Sequence, residues 1–269
     1  MRITDDAYRL PTLKALRFNK ILETGANKPG IINARDLSIR QSYDSVVKFR
    51  GAERMSPEAC ARELLAAFIA KHMGIRVVEP VLVEIVHDFV ETERGQPHFQ
   101  TLSKSIGLNY GSIYLPNYDT IPVFQPLNDY ELTHAQKVVL FDLFIQNCDR
   151  RHEKPNIMSN GQELVIYDHE LAFSFVHDIF RNKRPFELRE ADKSWIDSLF
   201  LLPKIKKLPI PEAYFIEALE SLDNIFWDKA FELIPQEWQT QQLQEIRTYL
   251  TEIVNNASLF TQSIKTLFI

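Results

Sequence analysis

Asp149, Asn156 and Asp168 lie in a stretch that reads Asn147-Cys-Asp-Arg-Arg-His-Glu-Lys-Pro-Asn-Ile-Met158 and, a few residues on, Leu164-Val-Ile-Tyr-Asp-His-Glu170. Two carboxylates and an amide oxygen converging on one point suit a hard cation such as Mg²⁺, which prefers oxygen ligands and keeps several waters. Such a set also provides a carboxylate to orient an attacking hydroxyl, and phosphoryl transfer from a metal–nucleotide needs mainly positioning and charge neutralisation. Any one of these residues alone reads as a turn former or helix cap. The combination carries the chemical reading: Asn-x-Asp-Arg, then Pro-Asn, then a hairpin, then an Asp just past a buried strand.

The flanking elements must bring the three together. Upstream, Val138-Val-Leu-Phe-Asp-Leu-Phe-Ile145 is too apolar to be anything but core. Thr133-His-Ala-Gln136 has capping-box spacing, which predicts a helix over about 134–147. Downstream, Asn160-Gly161 sits between the apolar runs 155–158 and 163–167, the strongest short-range signal for a β-hairpin. Helix, polar loop and hairpin then return Asp168 to the loop that carries Asp149.

A second constellation precedes the first. Ser45-Val-Val-Lys-Phe49 reads as a β-branched strand with Lys48 near its end, placed to reach nucleotide phosphates. Ser56-Pro-Glu58 is an N-cap with Pro at the first helical position. Cys60, Leu64, Leu65, Phe68 and Ile69 keep helical spacing until Gly74. Glu63 lies beside that stripe, either paired with Lys48 or solvated. Ahead of both, Thr24-Gly-Ala-Asn-Lys-Pro-Gly30 joins strand-like runs at 16–22 and 30–34. Backbone amides in such a turn can cradle phosphate oxygens, which makes Gly25, Asn27 and Lys28 candidates. The turn carries neither Gly-x-Gly-x-x-Gly nor a Walker-type Gly-Lys-Ser/Thr, so its position ahead of Lys48 is what counts.

Asn147-x-Asp149-Arg150, Pro155-Asn156 and Tyr167-Asp168-His169 resemble the HipA-like kinases, in the compact branch of that family. They are more distantly similar to phosphatidylinositol 3- and 4-kinases and to eukaryotic protein kinases. Gly107-Leu-Asn-Tyr-Gly-Ser-Ile-Tyr-Leu-Pro116 and Ile234-Pro-Gln-Glu-Trp238 are similar to further segments of the family, so the resemblance spans roughly 20–240, with only 147–170 highly specific. The resemblance implies ATP and Mg²⁺, with Asp149 receiving the hydroxyl proton, Asn156 and Asp168 holding metal, and Lys48 and Glu63 steadying the phosphates. It puts the adenine near 100–116. It implies an α+β, bilobal, protein-kinase-like fold in a single domain over 1–269. The N-lobe, β-rich with one helix, and the inter-lobe region would occupy 1–125, and a mostly helical C-lobe 126–269. The periodicity at 213–231 and 243–267 independently predicts helices. The resemblance further implies a bacterial protein whose acceptor is a Ser or Thr of a protein, itself included, and a toxin's role with an antitoxin-like partner.

Two departures keep a nucleotide-binding pseudokinase open. Protein kinases place the metal Asn five residues after the catalytic Asp, where this chain has Lys154, and Glu170 stands where the metal motif usually has Gly. Arg150 and His152 either stabilise transferring charge or brace the loop. A metal hydrolase using Asp149, His152, Asp168 and His169 is a third reading, lacking the paired helical ligands of His-Glu-x-x-His. A lipid kinase is a narrower variant of the first.

Composition sets bounds. A length of 269 residues at 45% hydrophobic suits one two-lobed unit or two small domains. The net charge of −5 offers no broad attraction to nucleic acid, and Arg181-Asn-Lys-Arg184 and Lys204-Ile-Lys-Lys207 read as solvated clusters. No run approaches the ~18 apolar residues of a membrane span, and Met-Arg-Ile-Thr-Asp-Asp lacks a signal peptide's apolar core. The two cysteines, Cys60 and Cys148, suit a reducing compartment. A cytoplasmic protein is expected.

Overall fold

The computed structural model describes residues 1–23, 27–179 and 182–268, a mixture of helices and strands. Strands β1 (Thr12–Ile21), β2 (Gly30–Asp36), β3 (Gln41–Lys48), β4 (Pro80–Ile85) and β5 (Gly107–Ile113) close into a barrel in the order β1-β2-β3-β5-β4. All neighbours are antiparallel except the closing pair, in which β1 runs parallel to β4 with Thr12 opposite Leu82. Side chains alternate across each strand, so Leu13, Ala15, Ile32, Ala34, Val47, Val81 and Val83 fill the interior.

Helix α1 (Pro57–His72) begins as expected, with Ser56 Oγ accepting from the Ala59 amide at 3.3 Å and Pro57 in the first turn. Gly74 stops it at φ +71°, a conformation that costs glycine little. Buried residues surround α1 on every side. It lies between β5 on one side and the C-terminal helices on the other. The expected single N-terminal helix is corrected: the polar stretch after β4 folds into two more, α2 (His87–Thr92) and α3 (Phe99–Ser103). Phe89, Val90 and Leu102 explain why, since they join the barrel's apolar cluster.

Helix α4 (Asp129–Phe144) starts earlier and ends earlier than expected. Its capping box is Asn128 with Glu131, whose side chain accepts from the Asn128 amide at 3.1 Å while Asn128 Oδ1 accepts from the Glu131 amide at 2.9 Å. Thr133 has the same spacing to Gln136, but its hydroxyl donates to Asp129 O inside the helix. The predicted hairpin is present as β7 (Ile157–Ser159) and β8 (Leu164–Ile166), with β6 (Asp119–Thr120) added to its outer edge. At its turn Gly161 has φ +84°, and Asn160 Oδ1 accepts from the amides of Gln162 and Glu163.

The remaining chain forms α5 (Lys193–Asp197), α6 (Leu202–Ile205), α7 (Glu212–Glu220), α8 (Asn224–Leu233), α9 (Gln241–Val254) and α10 (Ala257–Lys265). Each predicted periodic run is thus two helices. Asp223 splits the first by capping α8, accepting from the Phe226 amide at 3.0 Å. One apolar cluster runs from Ile3 through α1 and α4 to Ile264, including the buried Trp227 and Trp238. Among the described residues no helix is long and apolar enough to cross a membrane.

Candidate active site

The loop after α4 is held from beneath by Arg150, which is 1% exposed. Its Nε donates to Asp142 Oδ2 at 2.8 Å, its Nη1 to the Asn156 carbonyl at 2.5 Å, and its Nη2 contacts His169 Nε2 at 3.0 Å. Asp142, on α4, also accepts from Asn147 Nδ2 at 2.9 Å. A guanidinium can only donate, so His169 Nε2 accepts and the ring is neutral. Burial, reinforced by the Arg150 charge, pushes the His169 pKa well below the usual histidine value. Of the two earlier readings of Arg150, bracing fits these contacts. His152 packs edge-on against Phe200 at 6.1 Å.

Asn156 and Asp168 flank the hairpin at φ +50° and +59°. Asn and Asp are the side chains besides Gly that tolerate this left-handed region. The Tyr167 amide donates to the Asn156 carbonyl at 3.1 Å, tying the two ends together. Both residues line the same cavity. Asp149 is 6% exposed, and its Oδ2 lies 3.5 Å from Asn156 Nδ2. The three residues singled out first therefore meet.

Lys48, at the end of β3, points into this cluster. Its Nζ pairs with Glu63 Oε1 from α1, lies 2.6 Å from Asp168 Oδ1 and 3.2 Å from Glu170 Oε2. Burial works against the Lys48 charge, but the three carboxylates outweigh it and hold its pKa well above the usual lysine value. Glu63 has its pKa raised by burial, even with Lys48 opposing. The Glu63 Oε2 accepts from the His169 amide at 3.0 Å, so the helix glutamate grips both the strand lysine and the metal motif. Burial also disfavours charge on Asp168, yet Lys48 and Lys154 hold its carboxyl well below the usual range. Lys154 Nζ lies 2.7 Å from Asp149 Oδ2 and 3.2 Å from Asp168 Oδ2.

A cavity of about 410 Å³ opens beside these charges. Lys48, Lys154, Asn156, Asp168 and Glu170 form its polar end. Val46, Val78, Ile113, Leu115, Met158 and Tyr167 contribute to its apolar walls. The side chains there that can ligate a cation do so through oxygen, and carboxylate atoms of Glu63, Asp168 and Glu170 lie within 4.8 Å of one another. That set fits a hard divalent cation.

The expected phosphate-covering turn fares unevenly. Gly25 lies outside the described residues. Asn27 is buried on the cavity wall, its Nδ2 donating to Glu170 Oε2 at 2.7 Å. Lys28 does not line this cavity: its side chain is 66% exposed and pairs with Glu23 at 3.5 Å. The sequence reading missed Glu170 as a participant, having treated it only as a missing glycine. Its carboxylate type, two residues after Asp168, was the available signal. It also left the inter-lobe residues unassigned, and Ser112–Leu115 now line the cavity.

A family model described as HipA-like kinase matches residues 39–263. Among solved structures, the proinflammatory kinase CtkA of Helicobacter pylori is similar at 11% identity and a TM-score of 0.48, covering 94% of this chain and 95% of that one. No curated protein matches the chain.

Proposed function

The chain belongs to the HipA-like kinase family, and we propose that it transfers the γ-phosphoryl group of ATP to a hydroxyl with Mg²⁺ as its metal. One observation carries this reading: Lys48, joined to Glu63, meets Asp168 at the same cavity end where Lys154 meets Asp149. The apolar walls take the purine, which directs the phosphates towards Lys48. Asp149 orients the acceptor hydroxyl and receives its proton. Lys48, locked by Glu63, steadies the phosphate oxygens. Asn156 and Asp168, with Glu170 beside them, would hold the metal, which when bound neutralises charge on the transferring phosphoryl group.

The barrel and its helices within 1–125 serve as the N-lobe and 126–269 as the C-lobe of one kinase domain. The apolar cluster that spans Ile3 to Ile264 supports a single unit. The acceptor is a Ser or Thr of a protein, this chain included, in a bacterial cytoplasm, where two free thiols suit the redox state. The family likeness further favours a toxin restrained by an antitoxin-like partner. These assignments rest on analogy.

The test is incubation of the pure chain with γ-labelled ATP and Mg²⁺, with and without a mixture of Ser/Thr peptides. Label is expected in the parent, and Asp149→Ala should reduce it about 10²–10⁴-fold. Equal labelling in both would remove Asp149 from the chemistry. A second reading, the pseudokinase, draws on the Lys154 ammonium that already engages Asp149. Nucleotide binding with no label on chain or peptides would select it. The hydrolase reading loses ground because His169 is fully buried, with its Nε2 taken up by Arg150.

A further inference from the structure

Lys154 marks the point where this loop departs from protein-kinase spacing, and its position is built into the backbone. The Arg151 amide donates to the Lys154 carbonyl at 3.1 Å and the Lys154 amide to the Arg151 carbonyl at 3.0 Å. Arg151 also bridges to Leu199, and Pro155 fixes the next φ. From that anchored turn the side chain reaches along the cavity wall and bridges two carboxylates, at 2.7 Å from Asp149 and 3.2 Å from Asp168.

Protein kinases hold two Mg²⁺ ions between the catalytic-loop Asn and the metal-motif Asp. We propose that in this chain the Lys154 ammonium stands in for one of those two cations, so that the site takes up a single divalent ion with its nucleotide. An ammonium has three donors and no lone pair. It cannot ligate a metal, and its fixed charge repels one from the space between Asp149 and Asp168. At the same time it supplies positive charge next to the transferring phosphoryl group, which the second ion would otherwise bring. Asp168 and Asn156 are left one ion to hold between them. The arrangement also accounts for the displacement of the Asn: the residue at 154 serves as the charge, and the oxygen donor follows two residues later at a φ that Asn accepts.

This inference rests on the kinase reading above, and the experiment separates the two. The full chain is saturated with a non-hydrolysable ATP analogue, and free Mn²⁺ is followed by electron paramagnetic resonance during a Mn²⁺ titration. Binding of the analogue itself is measured by calorimetry. One Mn²⁺ per chain–nucleotide complex is expected for the parent. Two are expected for Lys154→Asn and for Lys154→Asp, either of which replaces the ammonium by an oxygen ligand. Circular dichroism identifies which variants fold, and one folded variant is enough. Two ions in the parent, or one ion in the folded variants, would overturn the proposal while the kinase reading stands. A parent that binds no analogue would overturn both.

Discussion

Asp168 is approached from two flanks that are built in different ways, one by the barrel and one by the loop. On the barrel flank, Lys48 ends a strand, is 12% exposed and pairs with Glu63, which is fully buried on the all-round-buried helix α1. On the loop flank, Lys154 rises from a tight turn and is 32% exposed. The same ammonium chemistry thus rests on distant packing in one case and on local backbone in the other. The barrel lysine is tied into the packing of α1, whereas the loop lysine is tied to its own turn.

The contrast is tested most severely at Lys48. Lys48→Met would leave Glu63, Asp168 and Glu170 close together with their main neutralising partner gone. Removing one member of a buried pair costs about 3–5 kcal/mol, which urea unfolding would show as a lower midpoint. A loss no larger than that of Lys154→Met would make the two flanks equivalent. The next effect is on acid stability. Asp168 has its folded pKa depressed below the unfolded value by Lys48 and Lys154 against the opposing effect of burial. Its contribution is therefore fully present above about pH 4 and is lost as pH falls towards the folded pKa. In Lys48→Met the slope of stability against pH below that point should shrink by up to about one proton. Asp36, held down to about 2 by the Ser38 hydroxyl and by Arg9, gives a similar slope far from the site, and Asp36→Asn subtracts it. An unchanged slope in Lys48→Met after that subtraction would mean the barrel flank does not hold Asp168 ionised. The smallest effect belongs to the loop flank. Lys154→Met should cost about 1–3 kcal/mol, less than Lys48→Met, because the Lys154 side chain is 32% exposed and water can take its place beside Asp149 and Asp168. A shift as large as that of Lys48→Met would erase the distinction.

The sequence made the loop flank legible because its information is local. Asp149, Asn156 and Asp168 are separated by one polar turn and one hairpin, and Asn160-Gly161 announces that hairpin. Lys48 and Glu63 were also readable, since a β-branched run and a capped apolar helix each carry their own pattern. What lay beyond reach depended on partners remote in the chain. The parallel pairing of β1 with β4 leaves no mark in either strand. Asn27 meets Glu170 from 143 residues away in the chain. The start of α4 differs from expectation because two segments share one capping spacing, and the tertiary reason to prefer the first, Ser159 donating to Glu131 Oε1 at 2.8 Å, comes from the distant hairpin.

The parallel seam of the barrel has a kinetic consequence. Thr12 to Lys14 can pair with Leu82 to Glu84 only after β2, β3 and the whole of α1 have been made. Closing so long a loop is entropically expensive before any contact rewards it. During synthesis the first three strands can assemble as a meander, with the edge of β1 open until β4 arrives. That edge is the segment most exposed to mispairing with another chain. The hairpin β7–β8 carries no such delay. Once made, Asp168 is positioned by a hairpin that closes locally, whereas the lysine that faces it sits in a barrel closed across the whole of α1.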